Sequence, residues 1–186
     1  GRSRDYSAFT LMDKYGEEYA CFKQKISVGK FADLLMEIGK KFNYATIAPE
    51  TNDIGLAVTN KIQEKGYRNL YYSTQLLRKK GEQRHKETEI PGWLTTNKNR
   101  DVIINGLEED IRNDEIITRD PFFVNEAYTF IYDDTNRPVA MGKGKRASED
   151  EELLSDEGFS DDAIMGKAIT NFIRKGKSKG PIVLPR

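Results

Sequence analysis

The clearest indication of the fold is the segment Tyr44-Ala45-Thr46-Ile47-Ala48-Pro49-Glu50-Thr51-Asn52-Asp53-Ile54-Gly55. Its first five residues are an apolar run of buried-strand type, which a proline breaks and a glutamate follows at once. Ile54, Val58 and Ile62 then recur at helical spacing up to Gly66, and residues 69–72 have the pattern of another strand. Strand, helix and strand in this order predict a parallel crossover unit.

The rest of the chain also alternates between strand and helix patterns. Residues 8–13 and 18–23 predict a hairpin, and apolar positions from Lys30 onward predict a helix that ends near Gly39. Residues 73–96 are polar and indicate a long loop or an exposed β-ribbon. Further elements are predicted as follows: a helix after Thr95 with Val102, Ile103, Leu107 and Ile111 on one face, a short strand at residues 115–118, a helix opening at Pro121, and a last helix over residues 161–174 with Ile164, Ala168, Ile169 and Phe172 on one face. The predicted fold class is α/β.

Composition limits the kinds of site that the chain can build. It has 186 residues, of which 37% are hydrophobic, a size and mixture typical of one globular domain. With one cysteine, Cys21, and one histidine, His85, there is no internal disulfide and no Cys/His set for zinc. No apolar run is long enough to cross a bilayer, so no membrane partner is expected. Lys plus Arg and Asp plus Glu number 30 each, so only a locally basic face could favour nucleic acid.

Carboxylates stand at the ends of two regular elements that are far apart in the sequence. Glu50 follows the strand-like run, and Asp161 and Asp162 open the last helix after Ser160. If the fold brought them together, their oxygen atoms would form a pocket suited to Mg²⁺ or Mn²⁺. Two such ions activate a water and stabilise charge on a phosphate, which is nuclease chemistry.

Five collinear segments resemble the C-terminal nuclease domain of tailed-bacteriophage terminase large subunits. The resemblance covers nearly the whole chain, in the order Arg4-Asp5-Tyr6-Ser7-Ala8-Phe9, Ile47-Ala48-Pro49-Glu50-Thr51-Asn52 with Gly55, Pro91-Gly92-Trp93-Leu94-Thr95, Glu126 with Thr129-Phe130, and Asp161-Asp162-Ala163-Ile164-Met165. It implies a ribonuclease H-like fold, with a mixed central β-sheet and helices on both faces. It also implies cleavage of concatemeric double-stranded DNA during phage genome packaging.

The resemblance assigns the acidic site residue by residue. Glu50 and Asp162 match ligands of two Mg²⁺ or Mn²⁺ ions, Asp161 matches a further ligand or a group that positions water, and Asp5 matches a peripheral aspartate. The main aspartate of the first strand would lie upstream of Gly1. We therefore expect residues 1–186 to form a single nuclease domain that lacks its first strand or N-terminal residues, with weak activity. Residues 146–159 are expected to form an acidic mobile loop, and residues 175–186 a basic tail.

The same resemblance implies the partners and the location. There is no phosphate-binding loop of the Gly-x-x-x-x-Gly-Lys-Ser/Thr type, so the ATPase domain of the terminase is missing from this chain. Double-stranded DNA, that ATPase domain, the small terminase subunit and the portal are the implied partners, in the cytoplasm of the bacterial host.

Other interpretations of the same residues remain open. Ser160-Asp161-Asp162 is also an ordinary helix start, and Glu50 is also an ordinary solvated loop charge. The chain could be another ribonuclease H-like nuclease, such as a junction resolvase. It could also be a non-catalytic module that docks to DNA or to the portal.

Overall fold

The computed structural model describes residues 6–52, 54–77, 86–135, 137–140 and 160–176. Within these ranges the chain is a mixed α/β protein with five helices and small antiparallel sheets. The elements in chain order are β1 (Ser7–Met12), β2 (Glu18–Gln24), α1 (Val28–Lys41), α2 (Ile54–Glu64), β3 (Tyr72–Leu77), β4 (Lys86–Pro91), α3 (Asn97–Arg112), α4 (Pro121–Tyr128), β5 (Phe130–Tyr132), β6 (Pro138–Ala140) and α5 (Asp162–Arg174). The predicted helices and the predicted N-terminal hairpin are confirmed.

The chain divides into two compact units. The first comprises Gly1–Ser3, Ile26–Thr96 and Gly176–Arg186, and the second comprises Arg4–Lys25 and Asn97–Lys175. The prediction of one nuclease domain over residues 1–186 stays a prediction, and the acidic segment 146–159 lies outside the described residues.

The first unit is built on α1, α2 and the hairpin of β3 with β4. The two helices pack against each other. Buried side chains from both helices and from the segments that flank α2 form one apolar cluster: Ala32, Met36, Ile47, Val58, Ile62, Tyr67 and Leu70. Parallel bridges join Ile47 to Leu70 and Glu50 to Trp93. The predicted parallel crossover is therefore present, with α2 between its two sides, but it is made of single bridges and not of full strands.

The predicted strand over residues 44–48 is wrong at its beginning. Asn43 and Tyr44 have φ angles of 52° and 57°, in the left-handed region that strands do not use. The backbone N–H of Ala45 donates to the carbonyl oxygens of Gly39 and Phe42, both at 3.0 Å. These residues therefore close the C-terminus of α1, and extended pairing begins only at Ile47.

The second unit is centred on α5. This helix packs against β1, α3 and α4, and the antiparallel pairs β1–β2 and β5–β6 belong to the same unit. Ile164, Ala168 and Ile169 are buried as predicted, whereas Phe172 is half-buried. On α3, Ile103 and Leu107 are buried but Val102 is 60% exposed, so the predicted apolar face is rotated toward Ile104. The predicted strand at residues 115–118 is reduced to one parallel bridge between Ile117 and Glu17.

The strands of the described residues form three separate two-stranded antiparallel sheets. One continuous mixed central sheet, as the resemblance implies, is not present among them. Parallel pairing, which such a sheet requires, is limited to the isolated bridges. The finer assignment of a ribonuclease H-like fold stays a prediction. No helix within the described ranges has both the length and the apolar character needed to cross a bilayer.

Candidate functional site

Glu50 is held in the first unit by backbone pairing on both of its sides. The N–H of Trp93 donates to the carbonyl oxygen of Pro49 at 2.8 Å, and the N–H of Thr51 donates to the carbonyl oxygen of Trp93 at 2.7 Å. The hydroxyl of Thr51 also donates to the carbonyl oxygen of Trp93, at 3.0 Å. These bonds fix the backbone from which the half-buried Glu50 side chain projects.

Two glycines allow other backbone segments to approach the Glu50 segment closely. A Cβ atom on Gly55 would lie 1.7 Å from the carbonyl oxygen of Glu50. A Cβ atom on Gly92, which has a φ of +85°, would lie 2.4 Å from Cγ2 of Thr51. Neither position has room for a side chain, so both glycines are required by the packing around Glu50.

Asp161 and Asp162 stand in the second unit at the N-terminus of α5. Asp161 is the N-cap residue, and its carbonyl oxygen accepts the first helical bond from Met165 N–H at 2.8 Å, but its side chain makes no capping bond. Instead, Nη2 of Arg100 donates to Oδ2 of Asp161 at 2.9 Å. Oδ2 of Asp162 accepts a 2.6 Å bond from the hydroxyl of Ser160. The interpretation of this segment as a helix start is correct, although its capping differs from the usual pattern.

One capping bond at this helix end comes from a distant carboxylate, in addition to the 3.4 Å bond from the Asp162 N–H to Oγ of Ser160. Oε2 of Glu126, on α4, accepts the backbone N–H of Ile164 at 2.9 Å. Oε1 of the same side chain pairs with Nζ of Lys23 at 2.6 Å, and the side chains of Lys23 and Glu126 are 10% and 5% exposed. The sequence singled out Glu126 only as part of the resemblance and gave it no role.

A second buried ion cluster lies further along α5. Lys167 is fully buried, and its Nζ donates to Oε1 of Glu18 at 2.7 Å and to the hydroxyl of Thr118 at 2.8 Å. Asp120 lies 3.9 Å from the same nitrogen and caps α4 by accepting the N–H of Phe122 at 2.9 Å. Periodicity could have indicated this position, because Lys167 falls on the apolar face that Ile164 and Ala168 define.

The cluster around Lys167 contains carboxylates and a thiol, which are possible ligands of a metal ion, but the ammonium group of Lys167 already lies among them. Ligand atoms of Glu18, Cys21 and Asp120 lie within 4.8 Å of one another. The ammonium group of Lys167 bonds to Glu18 and lies 3.9 Å from Asp120, so it offsets part of the negative charge of these two buried carboxylates. Burial, and then the nearby Asp120 carboxylate, raise the pKa of the Cys21 thiol to about 11, so it is not an activated nucleophile. The cluster is therefore structural.

The positive charge that lines a cleft in the first unit is explained by the two helices that border it. Its volume is about 600 Å³, and its basic lining includes Lys40, Lys41, Lys65 and Arg68. Lys41 pairs with Glu37, and Lys65 pairs with Asp33. The lysines lie at the C-termini of α1 and α2, where helix dipoles favour positive charge.

The remaining predicted positions divide between described and undescribed parts of the chain. Asp5 and most of the basic tail lie outside the described residues, but Lys175 is the C-cap residue of α5 and pairs with Asp110 and with Glu115. Glu50 belongs to the first unit, and Asp161 and Asp162 belong to the second. The convergence of these three carboxylates stays a prediction.

The donor atoms at Asp161 and Asp162 fit a hard divalent cation. Both residues offer carboxylate oxygens, and both side chains are half-buried at a helix end. A scan of protein-family models and a search of curated proteins found no match to this chain.

Proposed function

We propose that this chain is a metal-dependent endonuclease of the ribonuclease H-like type that cleaves double-stranded DNA. One observation supports the proposal most strongly: both acid-bearing segments have the local structure that the resemblance requires. Glu50 follows a segment with parallel pairing, and the Asp161–Asp162 pair begins a helix. Ligand sites of α/β proteins commonly form at the carboxyl ends of parallel strands, and Glu50 follows the parallel bridge at Ile47 by three positions.

The roles of the side chains follow from this proposal. Two Mg²⁺ or Mn²⁺ ions would supply a nucleophilic water and stabilise the charge that develops on the phosphate. Asp162 is a ligand whose carboxylate Ser160 orients, and Asp161 is a second ligand whose carboxylate Arg100 orients. Glu50 is the further ligand that the resemblance assigns, on a backbone that Trp93 fixes.

The wider context is part of the proposal as well. The resemblance places such a nuclease in phage genome packaging, where it would cut concatemeric DNA in the cytoplasm of the bacterial host. The terminase ATPase domain, the small terminase subunit and the portal are the proposed partners.

A non-catalytic docking module is the second candidate function. It is favoured by the Arg100–Asp161 ion pair, whose side chains are 20% and 14% exposed. This pair already provides a positive charge for Asp161, so a cation is not needed to explain the acidic helix start.

Binding of Mn²⁺ tests the proposal directly. Isothermal titration of the chain should detect Mn²⁺ binding, and Asp162→Asn should weaken it by at least about tenfold because a ligand is lost. Glu50→Gln should weaken binding too, and it should lower Mn²⁺-dependent plasmid nicking. Glu64→Gln and Glu109→Gln are the matched controls, because both remove an exposed helix carboxylate.

The results of these Mn²⁺-binding and nicking experiments distinguish the nuclease from the docking module. A chain that binds DNA but not Mn²⁺ would be the docking module and not a nuclease. If Glu50→Gln nicked DNA as fast as the unchanged chain, Glu50 would have no place in the mechanism.

A further inference from the structure

The N-terminus of α5 is capped partly from outside its own segment. The first backbone N–H groups of any helix lack helical acceptors, and a side chain just before the helix usually supplies one. Here the Asp161 side chain makes no such bond, and Oγ of Ser160 accepts the Asp162 N–H at the long distance of 3.4 Å. Glu126, which lies 38 positions before Ile164, accepts the Ile164 N–H at 2.9 Å.

The Asp161 carboxylate does not cap its own helix. An N-cap aspartate that bonds to its own helix points its oxygen back along the helix axis. The Asp161 side chain makes no such bond, and its Oδ2 accepts a hydrogen bond from Arg100 on α3. Ser160 and Glu126 supply the side-chain acceptors for the first turn instead.

Lys23 fixes the position of Glu126. Its Nζ lies 2.6 Å from Oε1, and both side chains are almost entirely buried. A buried carboxylate with two charge-assisted or backbone donors has little freedom to move. The position of the Glu126 carboxylate therefore sets the position of the first turn of α5, and with it the two aspartates.

We propose that Glu126, locked by Lys23, is a positioning residue that holds the Asp161–Asp162 pair in the geometry required to bind a divalent cation. This inference rests on the proposed function. It assigns Glu126 no contact with the cation or with DNA. Groups that orient metal ligands typically change metal affinity by about 10–100-fold when they are altered.

The test compares Mn²⁺ affinity with the local order of α5 in four proteins. These are the unchanged chain, Glu126→Gln, the double variant Lys23→Met with Glu126→Gln, and the control Glu109→Gln. The double variant removes both charges of the buried pair, so it avoids the unpaired lysine that could unfold the single variant. Mn²⁺ binding is followed by electron paramagnetic resonance, and amide exchange of residues 162–166 by mass spectrometry, at a temperature where circular dichroism shows all four proteins folded.

We expect Glu126→Gln and the double variant to bind Mn²⁺ about tenfold more weakly and to exchange the first-turn amides of α5 faster. Glu109→Gln should match the unchanged chain in both measurements. A Glu126 variant with lower thermal stability but unchanged Mn²⁺ affinity would show that Glu126 only stabilises the fold, and would overturn the inference.

Failure of the inference differs from failure of the proposed function. If the unchanged chain binds Mn²⁺ and Asp162→Asn does not, but Glu126→Gln binds normally, only the inference is wrong. If the unchanged chain binds no Mn²⁺, the metal-dependent function is wrong, and faster amide exchange in the Glu126 variants would leave Glu126 as a simple helix cap. Unchanged exchange in both Glu126 variants would contradict even that role.

Discussion

At the scale of one residue, the backbone at Glu50 can take its observed position because Gly55 has no side chain. The carbonyl oxygen of Glu50 occupies the space that a Cβ atom of Gly55 would need. Gly106 on α3 has no atom within 4 Å of such a Cβ. A methyl group would therefore clash with the backbone at position 55 but would fit without a clash at position 106.

Gly55→Ala should lower the free energy of unfolding by about 1–3 kcal/mol, because the new methyl group must displace the Glu50 backbone. Gly106→Ala, the matched control, should be neutral or stabilise by up to about 1 kcal/mol, since alanine favours the helix. Urea unfolding of both variants measures the difference. Equal stabilities would contradict the close packing at Glu50.

Cys21 should react slowly with alkylating reagents. With a pKa of about 11, the thiol is only about 0.1% ionised at pH 8, and the thiolate is the reactive form. Alkylation by iodoacetamide should therefore be about 100-fold slower than for a thiol of ordinary pKa, and about tenfold faster at pH 9 than at pH 8. Unfolding the chain in urea should restore the ordinary rate; a folded rate within threefold of the unfolded one would contradict the expectation.

At the scale of elements, α5 is tied to its neighbours by polar contacts along its whole length. Glu126 caps its first turn, Lys167 bonds to Glu18 of β2 in its middle, and Lys175 pairs with Asp110 of α3 at its end. Asn171 also donates to Asp110, at 2.6 Å. Such contacts fix the position of the helix relative to these neighbours.

Asp110 should make stability depend on pH in acid. Burial acts to raise its pKa, but the hydrogen bonds from Lys175 and Asn171 outweigh burial, and the net pKa is below its ordinary value of 3.8. A lowered pKa stabilises the folded state above about pH 4, and this stabilisation is lost as the pH falls through the folded-state value. The bond to Asp110 raises the pKa of Lys175, so its contribution is present below about pH 10.5 and is lost above it.

Asp110→Ala tests this link between the elements. It should lower the free energy of unfolding by about 3 kcal/mol near pH 7, because a buried charge partner is removed. The difference from the unchanged chain should shrink as the pH falls below about 4 and through the lowered pKa of Asp110. Urea unfolding at a series of acidic pH values, with Glu109→Gln as the control, measures it; a difference that grew as the pH fell would exclude Asp110 as the titrating group.

At the scale of the whole molecule, local patterns were predictable from the sequence and distant pairings were not. The apolar spacing on α1, α2 and α5 predicted helices because a helix must bury one face. The sequence could not pair Lys167 with Glu18, because the two lie 149 positions apart and no local pattern links them. It also missed that residues 43–45 close a helix, since the two left-handed positions are Asn43 and Tyr44 and neither is a glycine.

The acidic site illustrates the same limit. Glu50 and the Asp161–Asp162 pair could be located on their elements from the sequence, and the structure confirms the helix start. Their role depends on the approach of segments more than a hundred residues apart, which periodicity does not encode. The support from Glu126 and Lys23 could not be predicted either, because a capping residue is usually sought within its own segment.

The burial of Lys167 constrains how this protein can evolve. Exchange of Lys167 alone would leave the carboxylates of Glu18 and Asp120 in the interior without their shared ammonium partner. Exchange of Glu18 alone would leave Asp120 as the only carboxylate that the described residues place within 4 Å of the buried ammonium group. Lineages that descend from this chain should therefore lose Lys167 only together with both carboxylates.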